Sequence, residues 1–61
     1  MILRHYYDGQ VTRQWTVKTA AEAAEIVRRE RGTKNPPRFT RLAHGYELKD
    51  GQNAIYELTT Q

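Results

Sequence analysis

The sequence predicts an α+β domain with the element order ββαββ: one helix packed on a four-stranded antiparallel sheet made of two hairpins. Three observations carry that expectation. Two Asp-Gly steps, Asp8-Gly9 and Asp50-Gly51, each stand between runs rich in β-branched and aromatic residues, the strongest short-range hairpin signal. Between the hairpins, apolar residues recur at helical spacing after a capping sequence. The chain has 61 residues, which makes one domain, residues 1–61, with a small core.

In the first hairpin, Ile2 to Tyr7 and Val11 to Val17 are the strands. Two registers compete. A two-residue turn puts Ile2, Tyr6, Val11, Trp15 and Val17 on one face but sets Arg4 opposite Arg13. A three-residue turn ending at Gly9 groups Leu3, His5, Val11 and Trp15 instead. A slip of one residue exchanges the faces of a strand, so the choice decides which side chains form the core.

The helix is expected from Ala20 to Arg31. Thr19-Ala20-Ala21-Glu22 is a capping box, and Gly32 is a natural C-terminal cap. Ala20, Ala23, Ala24, Ile26 and Val27 form an apolar stripe, with Glu22, Glu25, Arg28 and Arg29 on the opposite side. Acids open the helix and arginines close it, which complements the macrodipole; Glu25 and Arg29 stand at a favourable i,i+4 spacing. Residues 32–37 then form a semi-rigid arm, because Pro36 and Pro37 hold the residues before them out of the helical region.

The second hairpin is expected to consist of one long strand from Phe39 to Lys49, bent or bulged at Gly45, a three-residue turn ending at Gly51, and a last strand from Ala54 to Thr59. That register sets Leu42, His44, Tyr46 and Leu48 on the same face as Ala54, Tyr56 and Leu58.

The composition removes several chemistries. With no serine and no cysteine, neither a Ser-His-Asp nor a Cys-His constellation can form, and disulfides and thiolate metal sites are excluded. His5 and His44 stand far apart with no third ligand at a useful spacing, so they are expected to be partly exposed strand histidines and no metal is expected. The four glycines are isolated, so no phosphate loop exists. The expectation is therefore a non-enzymatic binding protein with no catalytic residue and no cofactor. No apolar h-region follows Met1 and no run approaches a membrane span, which predicts a soluble, cytoplasmic protein with no membrane partner.

What remains is charge and aromatic surface. The net charge is +3, and the excess sits in the middle of the chain, where Arg28, Arg29, Arg31, Lys34, Arg38 and Arg41 face only Glu30. If the arm folds back beside the helix end, several of these six converge on one edge that attracts phosphates or an acidic protein. Part of the cluster also serves the helix dipole. Six aromatic residues, Tyr6, Tyr7, Trp15, Phe39, Tyr46 and Tyr56, lie on expected strands. A single helix covers one face of a sheet, so some rings are left for a partner; Tyr6 and Tyr7 are the candidates, while Trp15, Phe39 and one or two tyrosines build the core.

The stretch Trp15-Thr16-Val17-Lys18-Thr19-Ala20-Ala21-Glu22-Ala23 resembles the strand-to-helix passage of the arm-type DNA-binding domains of phage integrases. Those domains lay a three-stranded sheet into a groove, whereas two strands precede the helix here. The resemblance covers about nine residues and carries no site residue with it. In size and style the chain also resembles phage accessory proteins such as the anti-CRISPRs, which implies a second expectation: an inhibitor or regulator that binds a host protein through its sheet face or strand edge. A homodimer is compatible with either.

Overall fold

The computed structural model describes residues 1–60. Six elements follow one another: β1 (Ile2–Tyr7), β2 (Gln10–Thr16), α1 (Ala20–Arg31), β3 (Thr40–Leu42), β4 (Gly45–Lys49) and β5 (Ala54–Thr59). The strands form one antiparallel sheet in the order β2-β1-β5-β4-β3, with the two chain-terminal strands, β1 and β5, paired at its middle. One helix and an antiparallel sheet were expected; the sheet has five strands instead of four.

The fifth strand arises because the expected long strand from Phe39 to Lys49 is folded in two. Leu42 pairs with Gly45 across a two-residue turn at Ala43-His44. Gly45 is therefore no mere bend. It takes φ 155, and its missing side chain lets β4 close on β5: a Cβ there would stand 2.1 Å from the Leu58 carbonyl oxygen. His44 is thereby an exposed turn residue, and Leu42 points to the opposite face from Tyr46 and Leu48. The last turn is Gly51-Gln52-Asn53, since the Asp50 amide bonds the Ala54 carbonyl at 2.8 Å. This differs from a turn ending at Gly51, yet the parity is the same, and Tyr46 and Leu48 share a face with Ala54, Tyr56 and Leu58.

The first hairpin settles between the two expected registers. Asp8 (φ 55) and Gly9 (φ 80) both take positive φ, the two-residue turn whose twist suits a hairpin. A bulge then follows: Tyr6 pairs with Val11, but His5 pairs with Arg13, leaving Thr12 as the extra residue. The bulge separates Arg4 from Arg13 and brings Leu3 opposite Trp15. The clash of the simple register, Arg4 opposite Arg13, is removed by one inserted residue.

The helix runs over the expected residues. The Thr19 hydroxyl accepts from the Glu22 amide (3.1 Å), and the Glu22 carboxylate accepts from the Lys18 amide (2.7 Å), one residue earlier than the usual capping box. Gly32 ends the helix in the left-handed conformation, with its amide and that of Thr33 closing on Arg29 and Arg28 carbonyls. Thr19→Ala is expected to cost about 1 kcal/mol, read as a lowered urea midpoint, because an orphan amide loses its acceptor.

The core lies between α1 and one face of the sheet. Leu3, Val17, Ala23, Val27, Tyr56 and Leu58 are buried, and Trp15, Ile26, Phe39, Tyr46 and Leu48 pack around them. Trp15 and Phe39 are thus core neighbours as expected, and Tyr56 is the tyrosine at the centre. The other face has no helix. By strand alternation it carries Ile2, Arg4 and Tyr6 from β1, with Ile55, Glu57 and Thr59 from β5 beside them.

Candidate functional site

The six candidate cations divide into two kinds. Arg28 is committed inside the chain: its Nε and Nη2 donate to the Glu25 carboxylate (3.0 and 2.7 Å) and its Nη1 donates to the Thr33 carbonyl (3.1 Å). Hydrogen bonding from Arg28 holds the Glu25 carboxyl below its usual range, and the same bonds raise the guanidinium. Arg31 is also committed, with Nε 3.3 Å from Asp50 Oδ1. Arg29 reaches Glu25 only at 3.9 Å and stays 66% exposed. Lys34, Arg38 and Arg41 make no ion pair or side-chain hydrogen bond among the described residues, and all three are exposed. Four cations therefore face solvent, against six in the sequence.

The fold gathers most of them at one end. Arg31 pins the helix C-terminus to Asp50, the residue just after β4. Thr40 pairs with Glu47 and Leu42 with Gly45, so the arm enters β3 from the side on which β4 runs out to Asp50. The helix end, the arm with Lys34 and Arg38, and the start of β3 share that end of the sheet. Arg41 follows one residue into β3, on the face that carries Tyr46.

The two aromatic candidates part company. Tyr7 is 55% exposed and lies two residues beyond His5 on the helix side of the sheet, at the same end as Asp50. Tyr6 lies on the open face and its hydroxyl donates to Glu57 Oε1 at 3.1 Å. Desolvation, then Glu57, pushes the Tyr6 phenol up. Tyr7 is the free ring; Tyr6 is held by its neighbour.

A polar node that sequence reasoning missed fixes this end of the molecule. His5, expected at the surface, is 6% exposed. Its Nδ1 lies 2.6 Å from Thr12 Oγ1, its Nε2 lies 3.1 Å from Asp50 Oδ2, and its ring meets Tyr56 edge-on at 4.7 Å between centroids. The Thr12 hydroxyl also lies 3.2 Å from the His5 carbonyl, which it reaches as donor. Hydroxyl, imidazole and carboxylate stand in relay order, but the hydroxyl is tied to backbone and the ring is covered by Tyr56. The node works as a strut. It joins the β2 bulge, the middle of β1 and the β4–β5 turn, and through Asp50 it holds Arg31 and so the basic helix end. A second tie, Arg13 to Glu30, joins β2 to the last turn of α1, with the Arg13 guanidinium 5.9 Å from the Trp15 ring centroid.

Among the described residues no three His, Asp or Glu side chains are grouped to hold a metal ion, and no helix is long and apolar enough to cross a membrane. The fold and site define a small α+β domain with a basic helix end, tied to the sheet by the Arg31–Asp50 and Arg13–Glu30 ion pairs, and an open sheet face. No known family model matches the sequence, and no curated protein or solved structure is significantly similar to it.

Proposed function

We propose that this protein is a small non-enzymatic nucleic-acid-binding protein that contacts the phosphate backbone through the helix end and the arm. The observation that carries the reading is the set of cations left without a strong internal partner: Lys34, Arg38 and Arg41, with the exposed Arg29; Tyr7 adds an exposed ring on β1 at the same end of the sheet. Backbone phosphates take such point and fork donors without sequence preference, and an exposed tyrosine adds a stacking surface for an unpaired base. Arg28 and Arg31 act from behind, shaping the surface while spending their own charge on Glu25 and Asp50. The strut at His5, through Asp50 and Arg31, ties the helix end to the sheet, which lowers the ordering needed there on binding.

Salt dependence tests the reading. Four phosphate contacts give a slope of log affinity against log salt of about −3.6 on duplex and about −2.8 on single strands. Between 50 and 200 mM salt the duplex affinity is then expected to fall roughly 150-fold. Neutralising Lys34 or Arg38 with glutamine should flatten the slope by about 0.9 each on duplex, whereas Arg28→Gln should act through helix stability and leave the slope near its starting value. A salt-independent affinity, or no binding at 50 mM salt to either form, removes the reading.

A second reading, an inhibitor or regulator that docks on an acidic host protein, rests on the open face of the sheet. Capture of one protein from lysate, persisting after nuclease treatment, favours it over the first.

A further inference from the structure

We infer that two copies of this chain associate through the helix-free face of the sheet, about a two-fold axis running along β5. The edges of the sheet are blunted: β2 is bulged at Thr12, and β3 is three residues long. The open face is not. Val11 (49% exposed) and Leu42 (44% exposed) stand at its margins, and Ile55 lies on β5 beside Tyr6 at its middle.

The charges on this face are incomplete within one chain. Arg4 lies on β1, Glu57 beside it on β5, and Glu47 beside Glu57 on β4. Two carboxylates directly opposite one another on neighbouring strands are unfavourable. Neither carboxylate has an ion pair among the described residues; Glu57 accepts from Tyr6, and the Arg4 Nε donates to Gln14 Oε1 at 3.0 Å.

A second copy gives Arg4 and Glu47 partners. β1 and β4 flank β5 symmetrically in the sheet order, so rotation by half a turn about β5 exchanges them. In a face-to-face pair, Arg4 then lies over Glu47 of the other copy, twice. The same rotation sets the Tyr6 ring over the other copy's Lys49, a cation–π arrangement, and sets Ile2 over Gly45, where no side chain stands. Ile55 meets its own image on the axis. Glu57 does too, flanked by both copies of Arg4. A half-turn about an axis across the strands instead keeps β1 over β1, and so never brings Arg4 over Glu47 of the other copy. Packed sheets are rotated by about 30°, which displaces residues one strand from the axis by only about 2–3 Å, within reach of an arginine.

Size agrees with a self-complementary pair. The molecule measures 26 × 26 × 18 Å, and its broad side is comparable to the roughly 800 Å² that each partner gives to a standard interface. Nothing in this pairing depends on what the basic helix end binds, and failure of either leaves the other standing.

Sedimentation velocity over a concentration series up to about 1 mM tests it, with an amide NMR spectrum of each variant to verify folding. The wild type is expected to pass from monomer to dimer. Arg4→Glu and Glu47→Arg should each weaken association at least tenfold, roughly the cost of facing like charges, and the double variant Arg4→Glu/Glu47→Arg should recover to within about threefold of wild type. Ile55→Arg should be monomeric. A folded wild type that stays monomeric to about 1 mM overturns the inference, as does a folded double variant no better than the single ones.

Discussion

Gly45→Ala is expected to destroy the folded state. The added Cβ would stand 2.1 Å from the Leu58 carbonyl oxygen, 3.1 Å from its carbon and 3.2 Å from the Thr59 Cα, all of them backbone atoms. A side chain can swing away from such an approach; a backbone in the middle of a sheet cannot. Leu58 is fully buried, and on its other side β5 is paired to β1, Leu58 against Leu3. To admit the methyl, β4 must leave β5, and β3 goes with it. A domain of this size has on the order of 3–5 kcal/mol of stability in total, so losing that pairing is expected to unfold it. The contrast is Gly9→Ala. Gly9 also takes positive φ (80), but nothing lies within 4 Å of its Cβ position, so only the backbone penalty of about 1–2 kcal/mol applies and the variant stays folded. Amide NMR dispersion and urea midpoints read both. A Gly45→Ala midpoint equal to that of Gly9→Ala would show that the close approach of β4 to β5 does not govern the fold.

That glycine also marks where the sequence stops being legible. Local signals read well. The helix from Ala20 to Arg31 is announced at both ends by neighbours in the chain, Thr19 and Gly32, and needs nothing distant to define it. Asp8-Gly9 is equally local, because its two positive φ values are a property of those two residues. The turn at Ala43-His44 carries no such mark. Its glycine follows the turn instead of occupying it, and the reason for that glycine is Leu58, a residue brought in by folding. The bulge at Thr12 is hidden for the same kind of reason. Nothing in its neighbours demands an extra residue; what the bulge changes is the pairing across the hairpin, setting Trp15 opposite Leu3 and Arg4 opposite Gln14.

The candidate site divides along the same line. Composition alone locates six cations between Arg28 and Arg41. Which of them remain available is a matter of geometry. Glu25 makes the expected i,i+4 ion pair with Arg29, at 3.9 Å, but gives its closer, bidentate bond to Arg28, one residue nearer, so Arg29 stays 66% exposed. Arg31 is claimed by Asp50, read from sequence only as a turn residue. Asp50 in turn carries His5 from a strand 45 positions away, a separation at which no spacing rule applies. Side chains within one turn of helix are predictable partners; side chains meeting across the sheet are not.

Tyr56→Ala is the second variant expected to abolish folding, and its companion Tyr56→Phe separates packing from ionisation. Tyr56 is among the largest fully buried side chains, 1% exposed, with the His5 ring edge-on at 4.7 Å and Trp15 tilted at 6.5 Å. Removing such a ring costs about 3–5 kcal/mol, as much as a domain this small has to lose. Phenylalanine keeps the ring and its contacts, so at neutral pH its urea midpoint should lie within about 1 kcal/mol of wild type. The difference emerges in alkali. Burial first, and then the charge of Asp50, push the Tyr56 phenol above its ordinary value near 10; Glu30 adds to this, and Arg13 and Arg31 oppose it. The folded chain thus holds the phenolic proton more tightly than the unfolded one. Stability from the neutral phenol is complete below about pH 10 and is lost as pH rises through the folded value. Tyr56→Phe should therefore lose less stability than wild type as pH rises above about 10, with Tyr6, whose phenol is also raised, contributing to the slope that remains. Equal alkaline slopes in the two proteins would mean that the Tyr56 hydroxyl ionises as freely in the fold as outside it, and a folded Tyr56→Ala would mean that the core is built on other residues.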